Sequence, residues 1–407
     1  MSTATPVSSV RTPLPHELAV EVVERKGVGH PDTLADGIAE LASIRYSLHC
    51  LDTAGAVLHH NLDKVAVLGG RAAFTDTGGV YDRPLRIVLG GRISTSFAGR
   101  PLPVREILHQ AAVDHLRTAL PGFDRVKLEI RQETTDSSKF PHWFAPRSLD
   151  DLPERRAAFS NDTAYLVGSA PRTATESVVL LAEAFFRRLP WAGSDIKALA
   201  VRDGTNWTVT VCVPALAGHL TSSAEFDDAV TAAAGELTDL LQQRLPGRVR
   251  VVCNTRNSRT GPLSGQYFTL SGSAVDYGED GLVGRGNART GVISGAHLAG
   301  NEATFGKNPA YHVGKVGGWL ADTAARTVAA EFGPCRIALL WRNGAPYDQP
   351  ASIEITTARQ APAGAAEELV RAVLARTDWM VDLLSGRYLP CLEPVEDLLA
   401  DLDRAAG

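Results

Sequence analysis

The segment from Gly272 to Lys315 combines dense glycine with side chains that can bind anions or metal ions. Glycine is unfavourable inside helices and strands, and it is typical of places where the backbone must approach another group closely. Cationic side chains between the glycines favour a polyanion as that group, held by backbone N–H groups and clamped by Lys and Arg. A helix predicted from His312 would point its positive end at the same place. The alternative is a long surface loop, which we favour less because such loops prefer Ser, Asn and Pro to the Val and Ile found here.

A second candidate site lies at Gly29-His30-Pro31-Asp32, between a predicted strand and a predicted helix. His30 can donate a hydrogen bond to a leaving oxygen, and Asp32 can hold a divalent cation. Pro31 and Asp32 are equally good helix-start residues, because proline suits the first helical turn and a carboxylate suits the positive helix end. The spacing alone leaves both interpretations open.

Shorter polar motifs are weaker evidence when each is taken alone. Residues 58–64 contain two adjacent histidines, which in a strand point to opposite faces, so they predict the polar wall of a site, or an ordinary loop, rather than a two-histidine metal site. An Asx turn explains residues 161–163, and a lysine is common at a strand end such as Lys197. No Walker P-loop spacing and no strand-linked G-x-G-x-x-G occur, so a generic kinase or a dinucleotide fold is poorly supported.

Lysine is rare in this chain, with seven among the 41 basic residues. Where arginine is the default cation, a retained lysine indicates a need for a compact ammonium charge. Five of the seven lie in segments rich in Gly, His or Asp, which marks those segments as site candidates, although chance is the alternative.

The elements that must position these residues repeat along the chain. Alternating strands and amphipathic helices recur in three rounds whose first helices begin near residues 32, 174 and 312, a spacing of roughly 140 residues that is too long for a solenoid. A hairpin is predicted to turn at Asp203-Gly204, a strand is predicted over residues 266–274, and a helix is predicted over residues 365–384. We therefore predict an α+β fold of three repeated sheet-plus-helix units, each of β-α-β-β-α-β type, about a pseudo-threefold axis. The predicted ranges are a flexible leader at 1–15 and units at 16–131, 132–254 and 255–407, interleaved into one catalytic body.

Composition limits the function classes. A net charge of −5 argues against a nucleic-acid binder, and no apolar run approaches the ~20 residues of a membrane span. The N-terminus has no apolar signal region, and the five cysteines are widely spaced, so we expect a reducing cytoplasmic location.

Taken together and in order, the motifs resemble the archaeal-type S-adenosylmethionine synthetases over nearly the whole chain. The segments that carry the resemblance are VERKGVGHPDTLADGIAE, VLHHNLDK, SNDTAYLVGSAP, GSDIKALAVRDG, DYGEDGLVGRGN and FGKNPAYHVGK. Several long motifs in the right order are far more specific than any one of them. The family's fold of three repeated α+β units agrees with the repeat predicted above.

The resemblance implies that the sulfur of L-methionine, or of a related acceptor, attacks C5′ of ATP. The whole triphosphate then leaves and is hydrolysed to phosphate and pyrophosphate. The implied ions are Mg²⁺ and, as a second candidate, K⁺. The implied assembly is a homodimer with active sites at the interface, without nucleic-acid or membrane partners. Stabilising a polyanionic leaving group is the physical demand of this chemistry.

The resemblance also implies site residues in this sequence. His30 would polarise the leaving oxygen. The other catalytic candidates, which would neutralise phosphates, are Lys197, Arg285 and Lys307. The candidates for binding nucleotide, acceptor or phosphate are Lys64, Asp136, Asp162, Asp195, Asn287, Asn308, His312 and Lys315. The metal candidates are Asp32, Asp63 and Asp280.

The sequence departs from the family pattern where the nucleoside and amino acid are expected. A glycine-rich segment credited with ATP contact is replaced by residues 131–137, where Arg131 and Glu133 stand in place of two glycines. The family's arginine after G-R-G-N is Ala288, with Arg289 as a possible substitute, and its R-P-M-S segment is residues 296–299. The alternatives are therefore a diverged enzyme using another nucleotide or acceptor, one reduced to triphosphate hydrolysis, or a non-catalytic partner subunit.

Overall fold

The computed structural model describes residues 5–9, 12–140, 142–359, 361–362 and 364–406. The helices of this part are α1 Pro31–Ala54, α2 Val104–Ala119, α3 Ala174–Arg187, α4 Ser223–Gln242, α5 Val313–Phe332, α6 Ala365–Leu374, α7 Trp379–Leu384 and α8 Val395–Ala406.

The strands are mostly short and are distributed along the whole chain. They are β1 Val7–Ser9, β2 Val20–Lys26, β3 His60–Leu68, β4 Arg71–Thr75, β5 Gly78–Arg83, β6 Leu85–Ile93, β7 Ser96–Phe97, β8 Arg100–Pro101, β9 Leu128–Thr135, β10 Ala164–Ala170, β11 Lys197–Asp203, β12 Asn206–Cys212, β13 Ala215–Leu216, β14 Val249–Cys253, β15 Phe268–Thr269, β16 Gly281–Leu282, β17 Ile293–Ser294, β18 Cys335–Trp341 and β19 Ser352–Thr357.

Three mixed sheets form the frame. The first sheet has the order β16-β3-β6-β9, the second β14-β12-β11-β2-β17 and the third β1-β19-β18-β10. Helices α1 and α2 pack with the first sheet, α3 and α4 with the second, and α5 and α6 with the third. Each sheet–helix layer encloses its own cluster of buried apolar side chains, which is the usual way for amphipathic elements to remove their apolar faces from water. The α+β class is confirmed.

Strands are exchanged between the three predicted ranges. Strand β2, from the first range, pairs with β11 in the second sheet; β10, from the second range, pairs with β18 in the third; and β16, from the third range, pairs with β3 in the first. The threefold repeat of contiguous units therefore stays a prediction.

Local predictions are confirmed in some places and wrong in others. The hairpin of β11 and β12 turns after Asp203, as predicted. The flexible leader is wrong for Val7–Ser9, because this strand pairs in parallel with β19; residues 1–4, 10 and 11 lie outside the described residues. A strand predicted over residues 266–274 is reduced to β15. A single helix predicted over 365–384 is divided into α6 and α7, and Arg376 between them pairs with Asp378 instead of continuing the helix.

Within the described chain, no helix is both long enough and apolar enough to cross a membrane.

Candidate functional site

The turn from β2 into α1 fixes the orientation of the His30 ring. His30 is the N-cap of α1, and its Nδ1 accepts a hydrogen bond from the Asp32 N–H at 3.2 Å. An Nδ1 that accepts must be unprotonated, so the neutral ring carries its proton on Nε2. Burial lowers the pKa of His30 to about 4, with Asp32 acting in the opposite direction and Lys26 and Lys197 adding to the decrease. At neutral pH, His30 is therefore an uncharged Nε2–H donor.

Asp32 is held as a carboxylate by two donors. Its Oδ2 accepts from Lys26 Nζ at 2.9 Å, and its Oδ1 accepts from the Leu282 N–H at 3.0 Å. Burial acts to raise the pKa of Asp32, but these hydrogen bonds outweigh it and the pKa lies below its ordinary value. Asp32 is thus ionised at the positive end of α1, where a negative charge is favourable.

Two lysines meet at one end of the second sheet. Lys197 and Lys26 are directly paired across β11 and β2. The Lys197 side chain is 46% exposed and its ammonium lies 3.4 Å from Glu24, whereas Lys26 is engaged with Asp32. Of the two, Lys197 is the cation that remains accessible to an incoming anion beside His30.

Asp195 lies two residues before Lys197 and is buried. Its Oδ2 accepts from the Ala274 N–H at 3.0 Å. Burial raises the pKa of Asp195 to about 7, although hydrogen bonds from Ala274 and Tyr267 and the charge of Lys197 act in the opposite direction, and Glu279 adds to the increase. This carboxyl group is therefore poised to change its charge near neutral pH.

The glycine-rich segment closes over the start of α1. The Arg285 carbonyl accepts from Lys26 Nζ at 2.6 Å, and the Asn287 carboxamide pairs with both backbone groups of Lys26, at 3.0 and 2.8 Å. The Arg285 side chain is exposed. A Cβ at Gly281 would lie 2.1 Å from the Pro31 carbonyl oxygen, so glycine here permits contact between two backbones.

An acidic row on α1 continues from Asp32 through Asp36 and Glu40. Asp36 accepts from the Gly284 N–H at 2.7 Å, and Glu40 accepts from the Gly306 N–H at 3.0 Å. One buried oxygen of Asp36 and one of Glu40 have no hydrogen-bond partner among the described residues. Burial raises the pKa of Asp36 well above its ordinary value, and Asp32 and Glu40 add to this effect. Both loop regions of the glycine-rich segment are therefore anchored on one face of α1.

A second group of cations lies near the start of β3. Lys307 is buried and pairs with Glu302, and its Nζ lies 3.7 Å from Asp63 Oδ2. Lys64 is 68% exposed and lies 2.7 Å from Asp63 Oδ1. Asp63 thus lies between two ammonium groups, one buried and one open to solvent.

His312 and Lys315 lie in the first turn of α5. His312 repeats the role of His30, because it is the N-cap and its Nδ1 accepts from the Gly314 N–H at 3.2 Å. Burial lowers the pKa of His312 well below its ordinary value, with Lys307 and Lys315 adding to the decrease. The ammonium of Lys315 is buried in an ion pair with Glu40, so a phosphate could reach it only if that pair separated.

The remaining sequence candidates accept hydrogen bonds from other residues of the protein. Exposed Asp280 accepts from the Gly69 N–H at 2.8 Å, exposed Asp136 accepts from Thr95 at 2.8 Å, and exposed Asp162 accepts from the Thr163 N–H at 2.7 Å. Their assignment to a site stays a prediction.

Asn308 and the adjacent histidines lie in a buried polar network. The Asn308 amide donates to the Leu58 carbonyl at 2.9 Å and lies 3.2 Å from His60 Nδ1. His59 and His60 are both fully buried, and the interpretation of residues 58–64 as the polar wall of a site stays a prediction. Asn308 is thus held inside the fold beside Lys307.

Arg289, the suggested substitute for the family's arginine at Ala288, is engaged in an ion pair, and its substitute role stays a prediction. The Arg289 guanidinium is buried against Asp322, at 2.8 and 3.0 Å, while the neighbouring Arg285 side chain is exposed.

Sequence reasoning did not assign Lys26, Asp36 or Glu40 to the site. The three acids at positions 32, 36 and 40 recur every four residues, and this spacing places them on one helical face. The partners of Lys26 are remote in the sequence, so the only sequence signal for this residue was the rarity of lysine in the chain.

The metal candidates do not form a cluster. Within the described residues no group of three or more His, Cys, Asp or Glu side chains could hold a metal ion by itself. Mg²⁺ is commonly bound by one or two carboxylates together with substrate phosphates. The assignment of Asp32, Asp63 and Asp280 to a metal site stays a prediction.

The replaced segment forms β9 at the edge of the first sheet. Side chains alternate along β9, and Arg131, Glu133 and Thr135 are exposed on one side. Charged side chains on an edge strand discourage further strand pairing. They also line the open face of this sheet at the positions where the resemblance leads one to expect glycine.

Comparisons with known proteins agree over most of the chain. Residues 4–384 match the family described as S-adenosylmethionine synthetase (AdoMet synthetase). An uncharacterized protein of Streptococcus pyogenes serotype M3 is 34% identical over 356 residues, covering 84% of this chain and 87% of the relative. The S-adenosylmethionine synthase of Methanococcoides burtonii is 31% identical over 374 residues, covering 89% and 91%. That of Haloarcula marismortui is 33% identical over 345 residues, covering 83% and 84%.

Proposed function

The chain belongs to the S-adenosylmethionine synthetase family, and we propose that it transfers the adenosyl group of ATP to the sulfur of methionine. A sulfur lone pair forms the bond to C5′ while the C5′–O bond breaks, and the triphosphate leaves with the bonding electrons. Water then cleaves the triphosphate to phosphate and pyrophosphate. The observation that carries this proposal is the meeting of His30, Asp32 and Lys197 at one end of the second sheet.

The first role follows from the ring orientation of His30. Because Nδ1 is occupied by the Asp32 N–H, the Nε2–H is free to donate to the oxygen that departs from C5′. A neutral donor stabilises charge as it develops on that oxygen, so its contribution is larger in the transition state than in the ground state. Lys197 and Arg285, whose side chains are exposed beside this turn, would bind the phosphates of the leaving group.

Mg²⁺ would be held by Asp32 and Asp63 together with phosphate oxygens, and it would neutralise charge on the leaving group. Lys26 keeps Asp32 ionised and oriented for this task. Near the middle of α1, where the Lys307 carbonyl accepts from Ser43, Lys307 would bind the distal phosphates after exchanging Glu302 for a phosphate oxygen.

The acceptor surface would be completed by a second copy of the chain. Val20 and Val22 on β2 are 50% and 40% exposed, and Ile293 on the neighbouring β17 is 37% exposed. These apolar side chains adjoin Lys26 on the same sheet, and covering them would also exclude water from the proposed site. Sedimentation of a homodimer at assay concentration is the expected result, and an active monomer would remove this part of the proposal.

A second candidate function is the same transfer with a different nucleotide or acceptor. The observation that favours it is the exposed charge of Arg131 and Glu133 on β9. Additional charges on a substrate-facing surface would change which substrate groups can be desolvated.

The test is mass spectrometry of products formed from ATP, Mg²⁺ and methionine, alongside a panel of other nucleotides and thioether or amine acceptors. Equal amounts of sulfonium, phosphate and pyrophosphate support the first proposal. A product with another acceptor supports the second. Cleavage of added tripolyphosphate without any transfer product from the panel contradicts both and leaves a hydrolase. With Lys307→Ala, we expect slower triphosphate cleavage while methionine binding is retained.

A further inference from the structure

A cavity of about 670 Å³ lies behind the proposed reaction site. It is bordered by Asp36 of α1, Leu180 of α3, Arg326 of α5 and the segment from Arg387 towards α8. Its volume is within the range of small-molecule sites, about 300–1,000 Å³. The proposed transfer reaction assigns it no role, since His30, Lys197 and Lys307 are not among its lining residues.

Most of the charges around this cavity are compensated in pairs. Arg25 pairs with Glu183 at 2.5 Å, and His297 lies 3.1 Å from Glu176. On a third side two arginines and two carboxylates alternate: Arg172 contacts Glu393 at 2.8 Å and Asp401 at 3.1 Å, and Asp401 contacts Arg404. These parts of the wall offer no excess charge to a ligand.

One end of the cavity has more cations than anions. Arg289, Arg326 and Arg387 are accompanied there by Asp322 and Asp382. Asp322 is occupied, because its two oxygens accept from Arg289 at 2.8 and 3.0 Å. Three guanidinium groups therefore share two carboxylates.

Arg326 is the group left without a counter-ion. Among the described residues its side chain forms no ion pair, and its guanidinium donates to the Thr323 hydroxyl at 3.0 Å. Arg387 pairs with Asp382 at 3.6 Å, a longer separation than in the other ion pairs of the cavity wall. Partial burial and the nearby charge of Arg387 both lower the pKa of Arg326. An anion between these two guanidinium groups would relieve their repulsion.

The deeper lining is largely apolar. Leu180, Phe305, Ala329 and Leu389 contribute to it. A ligand that fits both parts has an apolar body and a single anionic head.

We propose that this cavity binds a small organic monoanion, with its carboxylate or phosphate between Arg326 and Arg387 and its apolar body against Leu180 and Phe305. Ligand binding in the cavity would affect the proposed reaction site, because two lining residues contact that site. Asp36 accepts a hydrogen bond from the Gly284 N–H, and the Asn287 carboxamide accepts one from the Lys26 N–H.

The experiment is isothermal titration calorimetry of the full-length protein with benzoate and, separately, phenyl phosphate. These probes share the apolar ring and distinguish the two possible heads. We expect saturable binding of one or both, weakened about 10- to 100-fold by Arg326→Ala, because one charge-assisted hydrogen-bonding group is removed. Ala330→Trp, at an exposed α5 position in the cavity wall, should abolish binding by filling the space.

Two controls separate this site from the proposed reaction site. Arg371→Ala removes an exposed arginine that pairs with Glu367 on α6, and it should leave probe affinity unchanged. Lys197→Ala should also leave it unchanged, even where it abolishes transfer activity. Absence of saturable binding to the wild-type protein, or equal affinity in Arg326→Ala and Arg371→Ala, would overturn the proposal. Loss of binding in Lys197→Ala would instead place the probe at the reaction site and would equally overturn it.

Discussion

The buried pair of Lys315 and Glu40 allows a structural role to be separated from a phosphate-binding role. Their side chains are 1% and 0% exposed, and Glu40 also accepts from the Gly306 N–H. Lys315→Met would leave the Glu40 carboxylate buried without its counter-ion. Removing one partner of such a pair destabilises a protein by about 3–5 kcal/mol. With an unfolding entropy of about 2.1 cal/mol/K per residue, this corresponds to a decrease in Tm of about 4–6 °C for a chain of this length.

Replacing both partners should recover most of that loss. In Lys315→Met with Glu40→Gln, no charge is buried, and the carboxamide oxygen introduced by the second substitution can still accept from the Gly306 N–H. Differential scanning calorimetry of the two single variants and the double variant gives the coupling free energy of the pair. The matched control is Arg371→Met, which removes the exposed pair with Glu367 and should change the stability by less than about 1 kcal/mol.

The activity of the double variant then decides the role of Lys315. If Lys315 binds phosphate directly, the double variant regains its stability but not its turnover. If Lys315 serves only to neutralise Glu40, both return together. A Lys315→Met protein as stable as the wild type would refute the reasoning, because it would mean that the pair is not buried as described.

Three further predictions concern the pKa values of His30 and Asp195 and the close approach of Gly286 to Asp36. His30→Gln should lower kcat about 10²- to 10³-fold. In the wild-type pH profile of kcat/KM, His30 should contribute no ionisation near 6.5, because in the free enzyme it gains a proton only near pH 4. An ionisation near 7 that persists in the variant is consistent with Asp195, whereas an acidic limb near 6.5 that vanishes in the variant would contradict the prediction. The folded-state pKa of Asp195 is raised to about 7, so the free energy of unfolding should fall as the pH rises from about 4 to about 7. Between pH 5 and pH 7, Asp195→Asn should gain roughly 2 kcal/mol of stability relative to the wild type, as measured by urea unfolding. If the free energies of unfolding of the two proteins changed in parallel with pH, the pKa shift would be refuted. A Cβ at Gly286 would lie 2.1 Å from Asp36 Oδ2, so Gly286→Ala should displace the loop and reduce kcat/KM about 10²-fold, whereas Gly295→Ala, with open space around it, should have little effect in the same steady-state assay.

Local signals in the sequence were sufficient to predict the helix and the hairpin on which the proposed site lies. The helix-start residues Pro31 and Asp32 predicted the beginning of α1, and the Asp203-Gly204 pair predicted the hairpin of the second sheet. Both depend on residues close together in the chain, where backbone preferences act directly. The family resemblance is likewise confirmed, because its motifs are long and occur in a fixed order.

The contacts between segments remote in sequence could not be predicted from such local signals. Lys26 bonds to the Arg285 carbonyl across 259 positions, and Lys315 pairs with Glu40 across 275. Nothing in the local pattern around either lysine indicates which carboxylate or carbonyl will face it. The predicted strand at residues 266–274 shows the same limit, because its side chains are used in turns and caps such as that of Ser273.

The structure gives the glycines between Gly272 and Lys315 a role that differs from the one inferred from the sequence. Glycine was interpreted as making room for a polyanion, yet at Gly281 and Gly286 the group that a side chain would strike belongs to α1 itself. Close contact with α1 lets backbone N–H groups of the segment bond to the acids of that helix, as Gly284 does to Asp36. The glycines therefore allow the segment to lie against α1, and the exposed Arg285 is carried on this segment, with its carbonyl bonded to Lys26. A phosphate group would then be held mainly by side chains on a rigid support, so substitutions at these glycines should resemble loss of Arg285 more than loss of a backbone cradle.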